Sequence, residues 1–412
     1  MKVLQICTMD TRGCGNATYR LHLGLKRLGI DSKILVVSRR LSDPDVVSLR
    51  QNLLLRIKTK IINYLISKEL KSYIDRPSGL EIFSDDRTPY TVSKHPLVQE
   101  ADIVVLRWIA GMVDYREFFR GIKHKPLIWR LSDMNPFTGG CHVAGDCRRY
   151  EVGCGVCPQL KSKNRHDLSY KIFRRKRTSY QYHHPHIVAP SLFLKDLAER
   201  SMLLGNFKIH VIPNALPIET FMIRSKKTSR ELLNLPKDKT IILFGAVSRS
   251  GTKGFEHLVQ ALHRIKHKSQ IALVTFGNCT DRFPTDLGFP CFSVGYICNE
   301  TVLSQCYSAA DIFVWPSLQE SFGQTWLESM SCGVPVVAYR TGGVPETIVD
   351  YETGLTVDVG NIEGLSQQIE WMIVHPKERE QMGTQARKLV EQKFSLEIQA
   401  RRYDQLFKSI LS

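Results

Sequence analysis

Three segments carry side chains whose types and spacing suit a charged, hydroxyl-rich ligand. The segment ESFGQTWLE, Glu320 to Glu328, follows the apolar run Ile312–Pro316 and places Gly323 and Thr325 where a helix begins, one that continues through Met330. A helix N-terminus offers unpaired N–H groups and the positive end of a dipole, so it suits a diphosphate. Glu320, in the loop, can accept hydrogen bonds from sugar hydroxyls. Glu328, within the helix, can accept from both hydroxyls of a ribose, as acidic residues do in other nucleotide sites. For a glutamate pair standing alone, two solvated helix carboxylates would be the better reading.

The pair is not alone. The run Ile241–Val247 leads into SRSGTKGF, where Gly251, Lys253 and Gly254 precede a helix. A glycine-rich turn with a lysine is a second phosphate-binding device, though it is neither a Walker A nor a Rossmann fingerprint. The first strand ends in TMDTRGCGNATYR, where Gly13 and Gly15 let a backbone approach a ligand closely. An ordinary tight turn explains those two glycines equally well.

A different chemistry sits in CHVAGDCRRYEVGCGVC. Cys141, Cys147, Cys154 and Cys157 have five, six and two residues between them, with Gly153 and Gly155 around the last pair. This spacing suits tetrahedral zinc, with His142 as an alternative ligand. Four thiolates would close the coordination sphere, so the metal would order a loop and not catalyse. Two disulfides or four unliganded thiols are the competing readings, the former disfavoured in a reducing compartment.

The elements that position these residues follow from periodicity. Strand candidates are Val3–Met9, Lys33–Ser38, Ile103–Leu106, Leu127–Leu131, Ile187–Pro190, Lys208–Ile212, Ile241–Val247, Ile271–Phe276, Ile312–Pro316 and Pro335–Ala338. Amphipathic stretches such as Thr18–Leu28, Phe255–Ile265 and Thr301–Ala309 lie between them. Such alternation predicts parallel sheets with helices on both faces. The segment Pro213–Leu235 has the composition of a connector. The expected fold is therefore α/β, two doubly wound Rossmann-like domains facing each other across a cleft, with ligands at the carboxyl ends of the strands. The expected division is 1–208, 209–395 and a C-terminal segment 396–412, part of one long helix Lys377–Leu411 packing back toward the first domain.

Composition bounds the rest. With 412 residues, 43% hydrophobic and 24% charged, the chain is an ordinary globular protein of two or three domains, neither low-complexity nor a disulfide miniprotein. The net charge of +17 lies wholly in residues 1–208, where 36 Lys+Arg meet 19 Asp+Glu. That asymmetry points to an anionic surface, membrane lipid or nucleic acid, or to a merely solubilising face. The start, MKVLQICTMDTRGCG, is too short and mixed for a signal peptide, and no run of 18 apolar residues occurs, so a cytosolic location is expected. Gln51–Ile74 alternates Leu54, Ile57, Ile61, Leu65 and Tyr73 with Arg56, Lys58, Lys60, Lys68 and Lys71, and Lys161–Arg177 ends in FRRKR, Phe173–Arg177. Basic amphipathic segments of this kind can lie in a membrane interface. The alternative is that one face packs on the domain core. The basic segments show no nucleic-acid motif or aromatic stacking pattern.

The segments VIPNALPIETF, GTKGFEHLVQAL, YSAADIFVWPSLQESFGQTWLESMSCGVPVVA and GGVPETI, in this order, resemble the second domain of the family 4 glycosyltransferases, retaining nucleotide-sugar enzymes of the GT-B fold. The resemblance covers nearly all of Ile209–Phe394. GNATYRLHLGLKRLGIDS and DMNPFTGGCH resemble the bacterial polysaccharide-assembly branch. The resemblance implies a retaining, hexosyltransferase-type enzyme moving a sugar from a nucleotide diphosphate sugar to a glycan, and the basic segments fit a lipid-linked acceptor at the inner face of the cell membrane. It implies front-face attack and no catalytic metal. Lys253 and the amides around Ser321, Phe322, Gly323, Gln324 and Thr325 would hold the diphosphate, Glu328 the ribose and Glu320 the sugar, with Asn214 in the hinge. The family has an Arg directly after the strand's Gly. Here Ala246 follows Gly245, leaving Arg249 as the substitute. Where many relatives have a His before the Asp of the DMNPF-like segment, this chain has Ser132, so acceptor-side assistance would fall to Asp133 or to nothing; Gly13, Gly15 and Ser132 are assigned to the acceptor side. The readings weighed against this are a basic nucleic-acid- or membrane-binding protein with a non-catalytic nucleotide fold, and an epimerase or phosphorylase. The context of ESFGQTWLE speaks against them, and no nucleic acid is expected as a partner.

Overall fold

A computed structural model describes residues 1–50, 52–77, 82–246, 251–277 and 286–412. The chain forms two compact units, Met1–Pro213 with Glu397–Ser412, and Asn214–Leu396.

The first unit is built on strands β1 (Lys2–Ile6), β2 (Asp31–Val36), β3 (Val46–Ser48), β4 (Ile103–Leu106), β5 (Leu127–Arg130), β6 (His186–Ala189) and β7 (Ile209–Val211). They pair in the order β3-β2-β1-β4-β5-β6-β7, every pair parallel. The second unit has β8 (Thr240–Ala246), β9 (Ile271–Gly277), β10 (Cys291–Gly295), β11 (Ile312–Trp315), β12 (Val336–Tyr339) and β13 (Gly354–Val357), in the parallel order β10-β9-β8-β11-β12-β13. Strands β4, β5, β9, β11 and β12 are buried at every position, as required where helices cover both faces of a parallel sheet. Both sheets are the doubly wound type that the alternation predicts.

The boundary drawn at 208 falls short, because β7 pairs with β6 through Ile187↔Ile209 and Ala189↔Val211 and so belongs to the first sheet. The single helix expected over Lys377–Leu411 is instead two, Pro376–Lys393 and Leu396–Leu411. Phe394, buried in the second unit's core, gives its carbonyl to the Leu216 amide at 3.0 Å, and Ser395 bridges Leu216, so the helical ladder stops there. The second helix supplies Ala400, Tyr403 and Phe407 to a face of the first sheet beside Val3, Leu21, Val105 and Val188. Their spacing of three and four residues makes one apolar stripe. On the sheet's other face Tyr115, Phe119, Trp129 and Tyr180 form an aromatic cluster with ring centroids 5.4–6.3 Å apart.

Candidate functional site

In the second unit the strand order reverses between β8 and β11, and ligands of open α/β sheets bind at such a switch point. The two segments singled out in the sequence leave these two strands. Backbone ties hold them together: Leu318 N–H donates to Thr252 O at 2.8 Å, and Ser317 Oγ donates to the same oxygen at 3.1 Å. Two glycines allow the crossing. Gly254 has φ +72°, and a Cβ there would sit 1.8 Å from Pro316 O. Gly342 has φ +55°, and a Cβ there would sit 1.7 Å from Glu320 O. Neither approach is open to another residue.

The result is a contact between the two motifs. Lys253 Nζ lies 2.8 Å from Glu320 Oε2 and 5.4 Å from the centre of the Trp315 ring. Glu320 Oε1 also accepts from the Ser321 amide at 3.2 Å. The helix Thr325–Ser331 follows, with Gln324 at its cap. Phe322 is buried against Trp326 and Phe394, and Asn214 Nδ2 donates to its carbonyl at 3.4 Å. Gly323 is small because the Trp326 ring lies under it, 2.5 Å from where a Cβ would be. Thr325 Oγ1 is buried with no hydrogen-bond partner among the described residues.

Glu328 is 4% exposed, and Tyr307 donates its hydroxyl to Oε2 at 3.0 Å. Burial, and then the neighbouring Glu328 carboxylate, push the Tyr307 phenol well above its usual range, so it stays a donor. Glu328 is therefore a fixed acceptor in a dry setting, not a solvated helix carboxylate. Arg249 lies outside the described residues.

In the first unit, Asp133 stands after β5 and Trp108 after β4. Asp133 Oδ2 is 2.6 Å from His142 Nδ1 and accepts from Trp108 Nε1 at 3.0 Å, while Oδ1 accepts from the Asn135 amide at 2.8 Å. Burial alone would raise this carboxyl; His142, Asn135 and Trp108 outweigh that and hold it below the usual range. His142 Nε2 is 2.8 Å from Ser84 Oγ. Both ring nitrogens of His142 are thus engaged within the protein. Ser132 Oγ accepts from Arg130 Nη1 at 3.0 Å. Gly13 lies inside the helix Arg12–Arg27 with open space beside it, and Gly15 accommodates the chain's own Asp10 backbone, 2.5 Å from a Cβ placed there.

Trp108 and Ser84 were not found from the sequence, and His142 was read there only as an alternative zinc ligand; only proximity in space links the three to Asp133. Two buried arginines were also missed, Arg107 and Arg130, at the ends of β4 and β5. An arginine closing an apolar strand was the available signal. Burial and then Arg107 push Arg130 down to about 9.

The FRRKR segment differs from expectation. Its helix is Leu168–Ser179, and Phe173 and Lys176 are buried. Lys176 Nζ donates to Asn135 O and, at 3.1 Å, to Thr138 O, while Arg175 pairs with Asp85 and Asp86. Half of this basic run therefore holds the domain together.

Residues 225–389, within the second unit, match the family described as glycosyl transferases group 1. Among curated relatives, the capsular polysaccharide biosynthesis glycosyltransferase CapM of Staphylococcus aureus is 29% identical over 223 residues, 52% of this chain and 58% of that protein. The lipopolysaccharide 1,2-N-acetylglucosaminetransferase of Salmonella typhimurium is 27% identical over 243 residues, 54% of this chain and 62% of that protein. The chain thus spans about three fifths of the length of these relatives. Sucrose-phosphate synthase of Thermosynechococcus elongatus aligns over 100% of this chain and 99% of its own, with TM-score 0.69 and 18% identity. The fold of the whole chain is accordingly that of the two-domain GT-B glycosyltransferases.

Proposed function

We propose that this protein is a retaining glycosyltransferase that moves a sugar from a nucleotide diphosphate sugar to a glycan acceptor in surface-polysaccharide assembly. The observation that carries the reading is the Lys253–Glu320 pair at the switch point of a glycosyl transferases group 1 domain. In the reaction the bond between the sugar's anomeric carbon and the diphosphate oxygen breaks, and an acceptor oxygen bonds to that carbon on the same face. The acceptor's proton passes to the departing diphosphate. Lys253 meets the negative charge that grows on the leaving group, and a fixed cation in a partly dry site stabilises that charge more than water does. Donor binding exchanges its partner: the diphosphate takes Lys253, and Glu320 turns to the sugar hydroxyls. Glu328, fixed by Tyr307, takes the ribose. Arg249 is a further candidate for the phosphates, and Asp133 for the acceptor side. The step needs no catalytic metal.

The acceptor we propose is lipid-linked, met at the inner face of an anionic membrane. Support comes from the helix Leu53–Lys71, which has no buried residue. Leu54, Ile57, Ile61 and Leu65 are 69%, 46%, 53% and 56% exposed along it, with Arg56, Lys58 and Lys60 interleaved. These four apolar side chains stand off the core. Leu55, Leu70 and, beyond the helix, Tyr73 reach neighbouring clusters. Apolar side chains seated among basic ones suit an interfacial helix. Among the described residues no helix is long and apolar enough to cross a membrane.

Two experiments test these statements. Incubation with a panel of nucleotide sugars and a lipid-glycan extract should release one nucleoside diphosphate with the wild type and far less with Lys253→Ala. No release from any donor contradicts the activity. Flotation with anionic liposomes should carry the wild type and not Leu54→Glu/Ile61→Glu. Equal flotation of both contradicts the membrane helix.

A further inference from the structure

We infer that Cys141, Cys147, Cys154 and Cys157 bind one structural Zn²⁺ that fastens the segment presenting His142 to Asp133. The four thiols line a single cavity of about 20 Å³. That is room for about one water-sized occupant, so a lone ion fits and an organic ligand does not. The chain brings the sulfurs there by unusual backbone. Gly153 and Gly155 have φ +126° and +141°, and Val156 between the last two cysteines has φ +47°. A Cβ at Gly139 would lie 2.8 Å from Cys154 Cβ and 2.3 Å from Ser169 O. A valine held in the left-handed region is uncommon and costs energy, and here it turns Cys154 and Cys157 toward the same cavity.

The Gly139 amide donates to Cys154 Sγ at 3.2 Å. All four cysteines are free in this structure. No three of their sulfurs come within 4.8 Å of one another, a spacing that His22, Asp43 and Asp45 do reach. Zn–S bonds of about 2.3 Å bring sulfurs to about 3.8 Å, so binding contracts the cavity by side-chain rotation. The His22 group is already satisfied, since Lys26 pairs with Asp45 and Tyr19 donates to Asp43 at 3.0 Å.

The consequence reaches the candidate site. Cys141 precedes His142 directly, and Gly140 O accepts from Ser84 N at 2.8 Å and from Asn135 Nδ2 at 2.9 Å. Ser84 and Asp133 both bind the His142 ring. A zinc clamp on residues 141–157 therefore positions His142 without touching a substrate.

The test is elemental analysis of the full-length purified chain, grown with zinc and dialysed. The expected result is one zinc per chain, released in step with modification of four thiols by p-hydroxymercuribenzoate. Cys154→Ser/Cys157→Ser should lose the zinc, and Cys291→Ser should keep it. If the double variant does not fold, the mercurial titration of the wild type decides alone. Absence of zinc with all eleven thiols titrating in denaturant would overturn the site in favour of free cysteines. Absence of zinc with two or four thiols missing would overturn it in favour of disulfides.

Discussion

Lys253 and Glu320 stand 67 residues apart in sequence and 2.8 Å apart in space, at the ends of two neighbouring strands. With side chains only 23% and 17% exposed, neither is solvated as a lone charge would be. Each therefore has a partner now that a ligand must replace. In Lys253→Ala, Glu320 loses its counter-ion and the leaving group loses a cation. The expected outcome is a fall in kcat of about 10²–10³, the size seen when one charge-stabilising donor is removed, measured by nucleoside diphosphate release. Glu320→Gln should lower kcat while leaving nucleoside diphosphate affinity nearly unchanged.

Glu328 and Tyr307 divide differently. Tyr307→Phe removes one hydrogen bond to a buried carboxylate, expected to cost about 1–3 kcal/mol of stability and to weaken nucleotide binding through a loosened Glu328. Glu328→Gln keeps the shape and removes the charge. Calorimetric titration should then show weaker binding of a ribonucleoside diphosphate and little change for its 2′,3′-dideoxy analogue.

The crossing at Gly342 predicts a purely steric defect. Gly342→Ala places a methyl 1.7 Å from Glu320 O at a φ of +55°. The Glu320 loop must shift, so donor binding should weaken at least tenfold while the chain remains folded. Gly13→Ala, with open space at that position, is the control that should change little.

Asp311 sets the acid limit. Burial would raise its carboxyl, but Lys226, Arg230 and the Ile241 amide hold it below the usual range. A carboxyl lowered in the folded state contributes stability above its unfolded value, near 3.9, that is lost as pH falls further. Thermal melts from pH 7 to 3 should therefore show a falling Tm below about pH 4. That slope should be reduced in Asp311→Asn. The variant itself should be destabilised by about 3–5 kcal/mol, because Arg230 is left buried without its anion.

Much of this was legible in the sequence, and the limits have physical causes. Strands β8 and β11 announce themselves because both faces are buried and the runs are nearly all apolar. The turns that follow them carry the glycines and charges that mark the site. Strand β3, three residues at a sheet edge, and β10, with every position at least partly exposed, leave no comparable run. The break at Phe394–Ser395 has neither Pro nor Gly to mark it; a tertiary hydrogen bond from Leu216 makes it. FRRKR reads as an interfacial basic run because composition does not report that Asp85, Asp86 and two backbone carbonyls await it. The partners of Glu328 and Asp133 were hidden for the same reason. Local pattern places a side chain on an element, while its partner depends on the whole sheet order.

The central claim is that Lys253 and Glu328 hold one nucleotide diphosphate in the second unit. The most direct measurement is a thermal-shift panel of nucleoside diphosphates and their sugars on the wild type, Lys253→Ala and Glu328→Ala. Ligand binding to the folded state alone must raise its apparent stability. The account predicts a rise in Tm with one base series, lost in both variants. A rise retained in both, or no rise with any nucleotide, would contradict it.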